Sequence, residues 1–91
     1  MNRLERKLLR LTDELARLRE QERLVAGELE MHRHLHEDAA RDAAVHDTPV
    51  ERENARDAAK DVLRFATVLD GTRKRIASIE GRRQRLLPKL G

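Results

Sequence analysis

The chain has 91 residues, 41% of them charged and 38% hydrophobic, and Phe65 is its only aromatic residue. A compact globule of this size normally builds its core around several large rings, so the composition argues against one. It is typical of long, solvated helices joined along one apolar stripe. The net charge is only +3, and the absence of cysteine excludes both a disulfide framework and a cysteine-based metal site.

Neither a secretory leader nor a membrane span is indicated. The first residues carry no apolar signal region, and no segment is apolar over the length that a bilayer requires. We therefore expect a cytoplasmic protein without a membrane partner. Arginine heavily outnumbers lysine and alanine is abundant, a bias of GC-rich bacterial genomes, so a bacterial source is expected as well.

The first half of the chain repeats apolar residues in alternating steps of four and three, the heptad pattern of a coiled-coil helix. This pattern predicts a helix over about residues 2–45. A disordered chain has no reason to keep such a phase, so the pattern argues against the disorder that high charge and few aromatics would otherwise suggest. The predicted seam positions are Leu4, Leu8, Leu11, Leu15, Leu18, Glu22, Val25, Leu29, His32, His36, Ala39 and Ala43.

The clearest break between the helical segments is Thr48-Pro49-Val50-Glu51, which has the form of a capping box. Thr48 takes the N-cap position, and Glu51 follows three residues later. Pro49 occupies the first helical position, where its missing N–H costs nothing. The motif predicts a turn at residues 46–48 and a second helix over about residues 49–88.

A second heptad series fills that helix: Ala55, Ala58, Val62, Phe65, Leu69, Thr72, Ile76, Ile79, Arg83, Leu86 and Leu90. Pairs whose numbers sum to 94, such as Leu15 with Ile79, bring a and d positions together as in an antiparallel coiled coil. Half of 94 is 47, which lies in the predicted turn. The predicted fold is therefore all-α, a single antiparallel two-helix hairpin spanning residues 1–91.

Two predicted layers of the seam contain a charged residue. In the register that the other pairs define, Glu22 faces Thr72, and Arg83 faces Leu11 with Glu14 nearby. Polar seam residues usually cost stability and fix register or orientation, so we expect that role for Glu22 and Arg83.

A seam between two helices is a thin core for a free-standing domain. Leu24, Met31 and Leu35 lie off the seam of the first helix, and Leu63 lies off the seam of the second. Isolated exposed leucines are ordinary on protein surfaces, but a run at helical spacing indicates a further partner. We expect either docking on another protein or a dimer that forms a four-helix bundle.

The histidines are candidate metal ligands. His32 and His36 stand four residues apart, a spacing that can chelate zinc from one helical face, and Asp61 across the predicted seam could add an oxygen ligand. No histidine or cysteine lies in the second helix to complete the set. The alternative interpretation is a polar seam layer, and we expect no metal or other cofactor.

No catalytic constellation is visible. Ser78 is the only serine and has no histidine in the same region of the predicted hairpin, and there is no Gly-rich phosphate loop. A hairpin also offers no cleft for a pair of catalytic carboxylates. We expect that the chain is not an enzyme.

Charge is predicted to separate to opposite ends of the hairpin. The basic end consists of Arg73, Lys74, Arg75, Arg82, Arg83 and Arg85, and the acidic turn of Asp47, Glu51, Glu53 and Asp57. Either patch alone is equally compatible with a merely solvated surface. The basic end could bind nucleic-acid phosphates, although the chain lacks aromatic residues for stacking on single strands.

Residues 53–61 read Glu-Asn-Ala-Arg-Asp-Ala-Ala-Lys-Asp. These nine residues are similar to the tip pattern Glu-Asn-x-Glu-Tyr-x-Ala-Ala-Lys/Arg-Glu of Gre-type transcript-cleavage factors, with one residue fewer and no tyrosine. An acidic-tipped antiparallel coiled coil also resembles the arm that these factors and DksA-like regulators insert into the secondary channel of RNA polymerase. In that family an Asp three residues before the tip Glu helps to hold catalytic magnesium, but Val50 occupies that position here.

Our leading hypothesis is a small non-catalytic coiled-coil adaptor or regulator that binds another protein through the outer apolar residues and the charged ends. The resemblance implies a bacterial transcription-associated factor with RNA polymerase as its partner. The alternatives are an RNA- or ribosome-binding protein that acts through the basic end, and a purely structural oligomer subunit.

Overall fold

The computed structural model describes residues 1–90, and these residues form a helical hairpin. The two long helices are α1 (Arg3–His46) and α2 (Pro49–Leu86), and a short 3-10 helix (Leu87–Leu90) follows α2. No strand occurs within residues 1–90. The predicted all-α hairpin is confirmed.

The helix bounds differ from the predicted ones mainly at the end of α2. That helix stops at Leu86, whereas the heptad pattern predicted helix to about residue 88. Pro88 lacks the N–H that would bond to the carbonyl of Gln84, and its ring would clash with that carbonyl. The backbone tightens into the 3-10 helix instead, and Leu90, predicted as a seam residue, is exposed.

The turn contains two residues, Asp47 and Thr48. Asp47 has a φ of 44°, in the left-handed region that Asp tolerates better than most residues. The hydroxyl of Thr48 accepts a 3.2 Å hydrogen bond from the backbone N–H of Glu51, so the predicted N-cap is confirmed. The guanidinium of Arg52 donates to the Asp47 carboxylate at 2.6 Å and closes the turn from outside.

The chain divides into two compact units. The terminal unit comprises Met1–Arg23 together with the chain from Asp70 onward, and the turn unit comprises Leu24–Leu69. Both units contain a segment of α1 and a segment of α2. They differ in how much apolar side chain they bury.

The terminal unit holds most of the buried side chains. The predicted layers Leu15 with Ile79 and Leu18 with Ile76 lie in one cluster with Leu11. Three ion pairs join α1 to α2 around this cluster: Glu14 with Arg75, Arg19 with Glu80, and Glu22 with Arg73. The residue numbers of these pairs sum to 89, 99 and 95, values on both sides of the predicted sum of 94. The ion pairs therefore agree with the predicted register.

The predicted Glu22–Thr72 layer takes a different form from the expected one. Glu22 accepts a 3.0 Å hydrogen bond from Arg73, the residue that follows Thr72. The buried hydroxyl of Thr72 accepts a 3.3 Å hydrogen bond from the side-chain amide of Gln21. Glu22 and Thr72 are thus hydrogen-bonded to Arg73 and Gln21, the chain neighbours of the residues that they were predicted to face.

The turn unit has a sparse seam. Only Leu29 and Leu69 are buried, and Val25, Val62 and Phe65 are half-buried. The Phe65 ring stacks on the imidazole of His32 with 4.5 Å between centroids. Towards the turn the half-buried seam residues are His36 and four alanines, namely Ala39, Ala43, Ala55 and Ala58. Alanine brings little apolar area to a seam, so this unit gains less from burial.

Candidate interaction surfaces

The turn unit carries an exposed apolar stripe on α1, formed by Leu24, Met31 and Leu35. Each of these side chains is between 48% and 54% exposed. At about 100° of rotation per residue they lie within about 40° of one another and about 120° from the middle of the nearby seam. They therefore form one surface that faces away from α2.

The sequence pattern predicts that Leu63 belongs to the same partner-binding apolar set, and Leu63 is 69% exposed. It lies on α2, turned about 130° from the seam residues around it by the same helical rotation. Because the stripe and Leu63 both point away from the seam, and from different helices, they diverge. Leu63 is therefore a separate exposed residue and does not extend the apolar stripe.

The charged residues along the apolar stripe are acidic. Glu28 lies between Leu24 and Met31 on the same side of α1, 3.9 Å from the imidazole of His32. Asp38 is paired with Arg41 at 3.3 Å. Asp42 forms no ion pair with any of the residues that the structure describes. The turn unit as a whole has ten acidic and six basic residues, a net charge of −4.

The acidic turn is only partly available to a partner. Asp47 is bound by Arg52, and Glu51 is half-buried beside the Thr48 cap. Glu53 and Asp57 are exposed, and neither forms an ion pair within residues 1–90. Glu53 and Asp57 are thus the two carboxylates of the acidic turn that are exposed and have no ion-pair partner among residues 1–90.

Half of the predicted basic end is engaged in ion pairs. Arg73 binds Glu22, Arg75 binds Glu14 at 3.1 Å, and Lys74 binds Asp70 at 2.9 Å. The hydrogen bond to Asp70, aided by the charge attraction, raises the pKa of Lys74. These three cations are therefore less available to phosphates than the sequence suggested.

The remaining basic residues lie near the end of α2. Arg82 and Arg85 share one surface depression with Lys7 and Lys89, and none of the four forms an ion pair in the described part of the chain. Arg83 is half-buried and borders an apolar cleft instead. The exposed cations of the basic end that have no ion-pair partner among the described residues, Arg82 and Arg85, therefore form one basic patch with Lys7 and Lys89.

An apolar cleft in the terminal unit was missed by the sequence analysis. Its volume is about 320 Å³, and it is lined by Met1, Glu5, Leu8, Leu9, Thr12, Arg83, Leu87 and Leu90. Leu9 and Leu87 fall outside both heptad series, which is the signal that could have revealed it. Two of its lining residues, Leu87 and Leu90, belong to the 3-10 helix that follows α2.

The candidate metal ligands do not assemble. Within residues 1–90 there is no group of three or more His, Cys, Asp or Glu side chains placed to hold a metal ion. His32 stacks on Phe65, and His36 and Asp61 are half-buried. His32 thus serves as a packing residue of the turn-unit seam, the polar-layer alternative that the sequence left open.

Comparison with known proteins gives no further guide. No family model matches the chain, and neither a curated protein nor a solved structure is detectably similar to it. In the part of the chain that the structure describes, neither helix has a stretch long and apolar enough to pass through a bilayer.

Proposed function

We propose that this chain is a non-catalytic coiled-coil adaptor that binds other proteins through its turn unit. One observation carries the proposal: three large apolar side chains lie half-exposed on one side of α1, in a unit that buries only Leu29 and Leu69. A contiguous exposed apolar surface rimmed by polar residues is typical of protein-binding sites. Helical anchors spaced at one to three turns commonly insert into a complementary apolar surface.

The acidic turn is the second contact surface of this adaptor. Glu53 and Asp57 are exposed and have no ion-pair partner within residues 1–90. Their segment is the one similar to the tip of Gre-type factors, which supports a bacterial transcription-associated protein with RNA polymerase as partner. Val50 occupies the position where that family has its second metal-binding carboxylate, so the proposed role is regulatory and involves no transcript cleavage.

RNA binding is the second candidate function. It is favoured by the patch of Lys7, Arg82, Arg85 and Lys89, whose charges are not neutralised by ion pairs among the described residues. Four clustered cations suit a phosphate backbone. The pairing of Arg73, Lys74 and Arg75 with carboxylates weakens this candidate, because nearby negative charge partly offsets half of the predicted basic end.

The test is affinity capture of the tagged full chain from a lysate of its native cells, with nuclease and moderate salt, read by mass spectrometry. We expect RNA polymerase subunits with the unmodified chain and their loss when Glu53 and Asp57 are changed to Lys. The variant Leu63→Ser is the matched control, since it removes an exposed leucine away from both surfaces.

Other outcomes identify the alternatives. Ribosomal proteins that disappear on nuclease treatment, and that also disappear when Arg82 and Arg85 are changed to Glu, would replace the adaptor with the RNA-binding candidate. Recovery of the chain alone would overturn binding to a different protein and leave a purely structural oligomer.

A further inference from the structure

We propose that the apolar stripe of Leu24, Met31 and Leu35 is covered by a second copy of this chain, with the two α1 helices antiparallel. The inference rests on the proposed function in one respect, that this stripe binds protein. It assigns the stripe to a second copy of this chain and gives the residues that face each other. Binding of a different protein then rests on the acidic turn, and binding of RNA on the basic patch.

The stripe has the symmetry that a two-fold dimer requires. A two-fold axis brings the same surface of both copies together, so each stripe residue must face a residue of the same stripe. With the axis midway between Glu28 and Met31, Leu24 of one copy faces Leu35 of the second copy, and the reverse pair repeats it. Met31 then packs over the aliphatic part of Glu28 of the second copy.

Gly27 borders this axis and leaves room for the approach. It is exposed, and a Cβ added to it would meet no atom within 4 Å. Among the described residues, no side chain beyond its chain neighbours therefore occupies the space directly over Gly27. A second helix can come close there, as small residues allow at helix crossings.

Charge favours the antiparallel arrangement over the parallel one. The pairing that places Leu24 opposite Leu35 also places Arg17, seven residues earlier, opposite Asp42, seven residues later. Both are exposed, and neither has an ion-pair partner within residues 1–90. A parallel pair would set Arg17 against Arg17 and Asp42 against Asp42, and such like-charge contacts are unfavourable.

The net charges of the two units point the same way. The terminal unit has fourteen basic and seven acidic residues, a net charge of +7, against −4 for the turn unit. An antiparallel dimer brings the α1 segment of one terminal unit towards the turn unit of the second copy. A parallel dimer would bring units of like charge together.

The exposed area of the single chain is also large enough. It is 6743 Å², whereas a compact monomer of this mass exposes about 5,500 Å². The excess of roughly 1,200 Å² is larger than the about 800 Å² that each partner buries in an interface of standard size. The exposed area is therefore sufficient for an interface of that size.

The first experiment measures the molar mass of the purified full chain by light scattering and sedimentation at about 10 to 100 µM. A dimer of moderate affinity is populated in this concentration range. We expect twice the 10.6 kDa of one chain. Changing Leu24, Met31 and Leu35 to Ser should raise the dimer dissociation constant by at least about a hundredfold while circular dichroism shows helicity retained. Leu63→Ser should leave the dimer intact.

The second experiment tests orientation, using the absence of native cysteine. Leu24→Cys and Leu35→Cys variants, mixed and treated with a short bismaleimide, should cross-link to each other. Leu24→Cys alone should not, because an antiparallel pair separates the two copies of residue 24 by about 16 Å along the helix axis. Efficient cross-linking of Leu24→Cys alone would overturn the antiparallel arrangement.

The third experiment is a charge reversal. Arg17→Glu should weaken the dimer about tenfold by placing like charges together, and adding Asp42→Arg in the same chain should restore it. A monomer at the highest concentration, or a dimer that the Ser variants do not weaken, would overturn the inference. Neither result bears on capture of RNA polymerase through Glu53 and Asp57, so the two proposals fail separately.

Discussion

The terminal and turn units are built from the same two helices, yet they use them differently. Of the eight hydrophobic side chains that are buried among residues 1–90, six lie in the terminal unit, and so do the three ion pairs found there between α1 and α2. The turn unit buries two hydrophobic side chains and leaves three large ones half-exposed along α1. The terminal unit buries more of the seam. Both units leave apolar side chains exposed, along α1 in the turn unit and around the cleft of Leu9, Leu87 and Leu90 in the terminal unit.

This contrast shows why the candidate binding surface lies in the less well packed unit. Apolar side chains that point outward do not contribute to the seam of the turn unit, and the alanines near the turn bury little apolar area in it. A unit with few buried contacts opens more readily, and segments used for binding are often of this kind. Packing in the terminal unit compensates for the lower stability of the turn unit.

The largest expected effect compares one buried leucine from each unit. Leu15 in the terminal unit is 2% exposed and Leu29 in the turn unit is 4% exposed. We expect Leu15→Ala to lower the free energy of unfolding by about 4 kcal/mol and Leu29→Ala by about 2 kcal/mol, since a site with fewer buried neighbours collapses or hydrates more easily. Urea titration followed by circular dichroism, at one protein concentration, measures both.

Equal costs for the two substitutions would break the comparison. They would mean that the turn-unit seam is as tightly packed around Leu29 as the terminal cluster is around Leu15.

A smaller effect concerns the turn. Thr48→Ala removes the hydroxyl that accepts the Glu51 N–H, and N-cap losses of this type cost about 1 kcal/mol. Thr67→Ala is the control, because the Thr67 hydroxyl only donates to the carbonyl of Leu63 within α2 and alanine is the better helix former.

Amide hydrogen exchange sharpens the comparison of the two units. With Thr48→Ala the exchange should accelerate in residues 24–69 and stay unchanged near Leu15. Uniform acceleration through both units would show that they open together, and that the division between them has no counterpart in stability.

The smallest effect comes from an exposed ion pair of the terminal unit. A hydrogen bond from Arg23 lowers the pKa of Glu20 below 4.5, and the attraction between the two charges adds to the shift. A depressed folded-state pKa contributes stability above the unfolded value and loses it as pH falls through the folded pKa. Both side chains are well exposed, so the urea midpoint of Arg23→Gln at pH 7 should match that of the unmodified chain.

Carboxyl chemical shifts measured against pH provide the check. The Glu20 titration midpoint should rise with Arg23→Gln, because the hydrogen bond that lowers the Glu20 pKa is lost. An unchanged midpoint would rule out Arg23 as the cause. A large loss of stability in the same variant would mean that exposed pairs, and not only apolar burial, distinguish the two units.

The hairpin itself could be predicted from the sequence because two independent patterns agree on it. Heptad phase identifies the seam, as in Leu15 and Ile79, and the Thr48 cap locates the reversal. The end of α2 could not be placed, because the heptad positions continue through Leu90 while Pro88 stops the helix at Leu86. Local backbone chemistry overrides periodicity at that point.

The candidate surfaces were predictable only in part. Spacing alone shows that Leu24, Met31 and Leu35 share one side of α1. Whether Leu63 lies on the same surface depends on how α2 is rotated about its own axis, which spacing within one helix does not give. The pairing of Arg73 and Arg75 with Glu22 and Glu14 depends on side chains that reach one turn along the partner helix. A list of facing residues does not contain that information.

The two-residue turn also decides which chain each arm pairs with. The seam residues of α1 would make the same contacts with α2 of another molecule. The seam therefore does not determine whether α1 pairs with α2 of its own chain or with α2 of a second chain. A short connection chooses by holding the arms at an effective concentration on the order of millimolar. That connection depends on the left-handed Asp47, the Thr48 cap and the helix-starting Pro49. Alanine at these three positions would let α1 run on into α2 and convert the hairpin into an arm-swapped pair with the same seam.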